Sequence, residues 1–388
     1  MMRKQARYVF RIFVMAMLLF SLRALNAQAI RVDKYEGSKT TPAQIDSVLR
    51  DGSAALTTKG GKDRCAVGFW LDEEKSTTFD DKYKTIGGTK SVEALCKSNG
   101  TLNIVQAIKS CDDQGELNPS IEGCYYSSCA VVVWENDKSL TESLFLHEFG
   151  HVKGLEHVCG PRFLMNPVLA SSQFDLTPVQ CTQMMSAAQP VFVETCEKIG
   201  ASPDIVDFVS RHYIHGIPLD EAKKYKPQQL GKIRKMLKDR KSEEFWPNIV
   251  AVLGVAGGQD DFLELIGFLH QAPDDNGAAY RARLGVPIGL ARLSEKAVSL
   301  QAAPYLTEGL EPEFWLKKKI KLSATDDEEN SAEQLAKMTI LSLGRVRSKQ
   351  VDVPQVLNDL KRKHSRFLDD QEVQDLIDRS IKYNQSIL

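Results

Sequence analysis

Three histidines and a glutamate crowd into eleven residues, His147-Glu148-Phe149-Gly150-His151-Val152-Lys153-Gly154-Leu155-Glu156-His157. His147 and His151 are four apart, so on an α-helix they lie one above the other and their ring nitrogens can share one ion. Glu148 sits about 100° around that helix. A carboxylate displaced in this way can hold a water beside the metal and take its proton. Gly154 falls where such a helix would end, and glycine takes the left-handed backbone of a helix ending without steric cost. The turn returns the chain so that His157 becomes the third ligand. Three neutral imidazoles leave a fourth tetrahedral position to water, the open coordination of one catalytic Zn2+ ion and not of a structural one.

Together with Leu164-Met165-Asn166-Pro167, this stretch resembles the signature of the metzincin zinc metallopeptidases, His-Glu-x-x-His-x-x-Gly-x-x-His followed by a methionine turn. It is most similar to the matrixin branch, which usually carries a tyrosine where this chain has Asn166. The resemblance is close from Leu144 to Pro167. It implies metal ligands His147, His151 and His157, a catalytic general base Glu148, and Met165 as the hydrophobic floor of the Met-turn. The implied activity is that of a secreted zinc metalloendopeptidase, a hydrolase cutting peptide bonds with a zinc-activated water. Its protein or peptide substrate would lie extended against an edge strand that the sequence does not identify. Two departures stand out: there is no other histidine before residue 200 to hold a second zinc, and no Pro-Arg-Cys-Gly latency switch. Two further classes remain open, a binding protein with a vestigial metal half and a zinc amidase acting on cell-wall material.

The surrounding pattern supplies elements to position these residues. Ser139-Leu140-Thr141-Glu142 reads as a capping box, and Leu140, Leu144, His147 and His151 continue one face at helical spacing. Upstream, Thr41 caps a helix that starts at Pro42, carries Ile45, Val48 and Leu49 on its apolar face and breaks at Gly60-Gly61. Residues 65–71 and 130–134 read as strands, and residues 102–108 as a weaker one. Thr177-Pro178 opens a helix through Met184 and Met185. The expected fold over residues 30–200 is an α+β metzincin-like zinc-protease domain, a mixed sheet plus an active-site helix.

Arg3, Lys4, Arg7 and Arg11, an apolar run over residues 12–22 and the small residues of Ala27-Gln28-Ala29 form the three parts of a secretory signal peptide over residues 1–29. The run is shorter than the about 20 residues of a membrane span. Removal after Ala29 or Ala27 is expected, with no stable membrane anchor and a secreted or periplasmic product. All eight cysteines, Cys65, Cys96, Cys111, Cys124, Cys129, Cys159, Cys181 and Cys196, precede residue 200. An even set confined to one half of an exported chain reads as a disulfide framework. Its pairing is open, and a bridge from Cys159 to Cys181 or Cys196 would pin the zinc loop to the next helix. No pair has the C-x2-C spacing of a cysteine metal site. With 43% hydrophobic and 26% charged residues and a net charge of -1 over 388 residues, the chain can bury two cores and offers no electrostatic case for nucleic acid.

Residues 201–388 form a cysteine-free helical domain. Glu244-Phe245-Trp246 returns as Glu313-Phe314-Trp315, and Gly254, Gly289 and Gly344 each place a small residue inside an apolar helix, where a neighbouring helix can approach closely. Helix pairs at this spacing resemble HEAT-type α-solenoid repeats, with an irregular bundle as the alternative. A solenoid would offer a long surface to a protein partner. Gly254-Val255-Ala256-Gly257-Gly258 lacks the Gly-Lys-Ser/Thr of a phosphate loop and reads as a helix terminus. His212 and His215 read as solvated, and the lysines of residues 317–321 and the basic residues of 361–366 as facing water.

Overall fold

The central strands are the most apolar stretches of the first half, and they are buried on both faces, as parallel strands between covering layers must be. In the computed structural model, which describes residues 27–58, 65–112, 116–171, 173–186, 202–271, 277–296, 301–347 and 351–387, the first half begins with strands β1 (Ala27–Ile30) and β2 (Val32–Tyr35) and helix α1 (Pro42–Thr58). Then come β3 (Gly68–Leu71), β4 (Thr78–Phe79), β5 (Thr85–Gly87), α2 (Thr89–Ser98), β6 (Leu102–Val105), β7 (Ala107–Ser110), β8 (Gly123–Tyr126) and β9 (Cys129–Val133). The long helix α3 (Lys138–Val152), the short strand β10 (Val168–Leu169) and α4 (Pro178–Met185) complete it. One five-stranded sheet runs β4-β2-β6-β9-β8. Its first four strands are parallel, and β8 closes the edge antiparallel to β9. The strand expected over residues 102–108 is thus two, β6 in this sheet and β7 paired with β5.

Helix α3 packs on α1, β8 and β9. It is buried from Leu140 through His151, all round and not merely along one stripe. The capping box expected at Ser139 does not form. Asp137, two residues earlier, is the cap, accepting from the backbone N–H groups of Ser139 and Leu140 at 2.7 and 3.4 Å, the first free donors of the helix. Thr41 and Thr177 do cap their helices, each in exchange with the glutamine three residues on.

Disulfides join Cys65 to Cys181, Cys96 to Cys129 and Cys111 to Cys124. Cys159 is also disulfide-bonded, so its expected pairing with Cys181 is excluded; Cys196 lies outside the described residues. Residues 1–26, the body of the expected signal peptide, lie outside them too. Ala27–Ile30 pairs in parallel with Gly68–Leu71, so processing after Ala27 would keep most of that strand and processing after Ala29 would leave Ile30 alone. Among the described residues no helix is long and apolar enough to cross a membrane.

Among the described residues beyond 201 the regular elements are helices apart from β11 (His212–Tyr213), which pairs antiparallel with β10. After three short helices come α5 (Trp246–Ala256), α6 (Gln259–Leu269), α7 (Gly277–Ser294), α8 (Ala302–Glu308), α9 (Pro312–Lys317), α10 (Glu328–Gly344), α11 (Val353–Lys361) and α12 (Gln371–Ile387). The small residues act as expected. A side chain on Gly254 would come within 2.7 Å of the Gly289 Cα, and one on Gly344 within 2.5 Å of Ser380 Cβ, so α5 meets α7 and α10 meets α12 nearly backbone to backbone. The two Glu-Phe-Trp copies share a device: the Trp246 and Trp315 indoles donate to the carbonyls of Met236 and Gly309. Gly257 and Gly258 end α5 and begin α6. The acidic stretch at 326–330 starts α10, with Asp327 as its cap and Glu328 and Glu329 in its first turn, where the helix dipole favours them.

The halves interlock. Ala107 and Leu117 belong to the helical core and Ile214 to the sheet core. Arg281 of α7 reaches Glu135 at 2.8 Å with both side chains buried, and Arg292 donates to the Leu117 carbonyl.

Candidate metal centre

Helix α3 holds the first two ligands where its pitch puts them. His147 Nδ1 lies 2.7 Å from the Leu164 carbonyl and His151 Nδ1 2.8 Å from the Leu155 carbonyl. Gly154 has φ +80, and the N–H of Leu155 donates back to Gly150 at 2.9 Å, a helix ending that reverses the chain. The loop it starts is tied down by the backbone bond from Val158 to Met165 and by two amides of α4. Gln180 donates to Glu156 and Gln183 to Gly154. His157 thereby arrives with its Nε2 at 3.3 Å from that of His147 and 3.1 Å from that of His151, which are themselves 3.0 Å apart. Of the two partners expected for a loop-pinning bridge from Cys159, Cys181 is bonded to Cys65 and Cys196 lies outside the described residues. Met165 is fully buried against the small face of Gly150, where a β-carbon would come within 2.6 Å of its sulfur.

A fourth histidine completes the group. His215, expected to be solvated, lies with its Nε2 at 3.2 Å from that of His157 and its Nδ1 at 3.1 Å from the Gly123 carbonyl. One nitrogen from each of His147, His151, His157 and His215 falls within 4.8 Å of the others, an arrangement that could hold a metal ion. His212 is not solvated either. It sits 3.2 Å from the buried Glu122. Burial alone would lower its pKa, but the charge and hydrogen bond of Glu122 outweigh this and raise it to about 9.

Tautomers show what the four rings require. A carbonyl only accepts, so Nδ1 of His147, His151 and His215 must each carry the proton, and in a neutral ring Nε2 is then a bare lone pair. The rings are neutral at pH 7. Burial, then the neighbouring rings, hold His147 well below its ordinary value, His151 at about 3 and His157 at about 4, and burial lowers His215. Three lone pairs therefore converge on a point where His157 could supply at most one proton. A cation satisfies all of them, and the Nδ1–carbonyl bonds are the outer contacts that orient ligating imidazoles.

Glu148 is fully buried, and among the described residues neither carboxylate oxygen has a hydrogen-bond partner. Burial raises its pKa well above the ordinary value. It lies against Gly123 of β8, where an added β-carbon would stand 2.3 Å from Oε1. Tyr125, two residues along the same strand and half-exposed, stacks on the His151 ring at 4.8 Å. The structure thus gathers His147, His151, His157, Glu148 and Met165 and adds His215, Gly123 and Tyr125. No protein-family model, curated protein or solved structure matches this chain.

Proposed function

We propose that the chain is a zinc metalloendopeptidase of the metzincin kind, with His147, His151 and His157 holding the ion and Glu148 as general base. The observation that carries this reading is the set of Nε2 lone pairs converging beside a sealed, unpartnered carboxylate. Zn–N bonds of about 2.0–2.1 Å place the nitrogens of a tetrahedral site roughly 3.3–3.4 Å apart, close to the 3.0 to 3.3 Å among His147, His151 and His157 and to the 3.2 Å from His157 to His215, with all four within 4.8 Å. Zinc bound there would supply Lewis acidity and bring the pKa of a water molecule from about 15.7 toward 7. Glu148, its own pKa raised, is suited to take a proton from that water and return it to the leaving amine. Met165 supports the rings from below. The substrate lies extended along β8, the edge of the sheet nearest the histidines.

His215 also favours a second reading, since four protein ligands are the closed set of a structural zinc. A peptide-library digest separates the two, using the native chain and His215→Ala, each with and without a zinc chelator. Chelator-sensitive cleavage by either protein, lost when Glu148→Gln is added, supports the peptidase. No cleavage by either leaves a structural metal.

A further inference from the structure

We infer that residues 212–217 are a built-in pseudosubstrate that keeps this centre latent, with His215 in the coordination position a water or a scissile carbonyl would need. The inference rests on the peptidase reading and adds its regulation. The segment enters the site as the two-residue strand β11 and turns at Ile214, where the Gly216 N–H donates to the Tyr213 carbonyl at 3.0 Å, and it is held from both sides. On one side the N–H groups of Glu122 and Gly123 both donate to the Ile214 carbonyl, at 2.8 and 3.0 Å, and Ile121 bridges His215 antiparallel. On the other, the Ile214 N–H donates to Pro167 at 3.2 Å and β11 pairs with β10. These are backbone bonds, indifferent to side chains, so another polypeptide bent in the same way could make the same ones. Ile214 is fully buried in the sheet core, as a substrate side chain in a pocket would be. Gly216, at φ +88, then turns the chain out of the cleft, and Asn118 and Ser120 hold Ile217.

The same geometry explains Glu148. A buried carboxyl without a hydrogen bond is costly, and nothing in the closed site repays it. It makes sense as a group whose partner enters when the strand leaves.

The test compares zinc-loaded native chain with His215→Ala and, in case the smaller side chain disturbs packing, His215→Gln. If the strand confines the open form to a hundredth of molecules or fewer, both variants cleave about 10²-fold faster. X-ray absorption then reads four nitrogens in the native protein and three with one oxygen in the variants. A synthetic peptide of residues 211–217 inhibits the variants competitively, and its His215→Ala form inhibits about tenfold less, the loss of one metal contact of roughly 1.4 kcal/mol. Native protein as active as both variants overturns latency and leaves the peptidase standing. A changed coordination shell with no hydrolysis in any protein overturns the peptidase, and latency with it.

A separate observation carries a second site, and the geometry points to one for a small polyanion, a molecule bearing two or more phosphate or sulfate groups. A cavity of about 670 Å³ lies between β5, β7 and α2 on one side and α10 and α12 on the other. Lys82, Lys90 and Lys109 enter from the first side and Lys337, Arg379 and Lys382 from the second, against a single acid, Glu372, already paired with Lys337 at 2.8 Å. Lys109 is 7% exposed; its carbonyl accepts from the Asn118 N–H at 2.8 Å, while its ammonium makes no hydrogen bond or ion pair among the described residues. Burial, then Lys337, lowers its pKa to about 7, and the charge of Glu372 offsets this only in part. Titration calorimetry with inorganic tripolyphosphate at constant ionic strength tests the site. Saturable binding that weakens about tenfold in Lys109→Met and in Lys382→Glu, a loss of roughly 1.4 kcal/mol per contact, supports it. No saturable binding, or equal binding by native protein and both variants, overturns it.

Discussion

At the scale of single residues, proton positions decide the chemistry. Three imidazoles are fixed by backbone carbonyls as Nδ1–H tautomers, so losing one ring removes a lone pair that nothing nearby replaces. His151→Ala should release the metal, read as metal content after dialysis against a weak chelator. Glu148→Gln keeps all four rings and should retain the metal in full, while the loss of a general base lowers turnover about 10²–10⁴-fold; kcat/KM measured in the His215→Ala background checks this. His147, Glu148, His151, Gly154, His157 and Met165 were legible because helical pitch and one turn relate them locally. His215 was not. It lies 58 residues beyond His157, and its place depends on a two-residue strand that carries no periodic signal. Gly123 and Tyr125 were hidden for the same reason, since their closeness to Glu148 and His151 comes from sheet packing and not from spacing.

At the scale of elements, what the sequence predicted well were those whose ends carry their own chemistry. Thr41-Pro42 and Thr177-Pro178 start their helices where expected, and β9 is the Val-rich run. Asp137 displaced Ser139 as the cap of α3 because two capping patterns overlap there and only the fold chooses between them. The single strand read over residues 102–108 became two, because its apolar run continues while its pairing partner changes from β9 to β5. Helix contact is set by glycine where α5 meets α7. Gly254→Ala places a methyl within 2.7 Å of the Gly289 Cα, a backbone atom that cannot turn aside. Overpacking of this kind costs about 1–3 kcal/mol, to be read as a lower urea midpoint with an unchanged slope.

At the scale of the whole molecule, the metal centre draws on both halves, and buried ion pairs join them. Arg281→Met leaves Glu135 without its partner across the interface and should cost about 3–5 kcal/mol in chemical denaturation. His212 and Glu122 make a pH-dependent tie beside the metal centre. The folded-state pKa of His212, about 9, lies above the unfolded value of about 6.5, so its contribution is full below about pH 6.5 and is lost as pH rises through 9. The stability difference between the native protein and His212→Gln should therefore shrink from pH 6 to pH 10 in matched urea titrations. The disulfides set a further condition. Cys124 of β8 is bonded to Cys111 and Cys129 of β9 to Cys96, so the rim of the cleft that faces Glu148 is riveted to its surroundings on two sides. Any travel on opening falls to the other wall, the histidine-bearing strand and the helices that follow it. An activator would need purchase on the helical half, far along the chain from the residues it sets free.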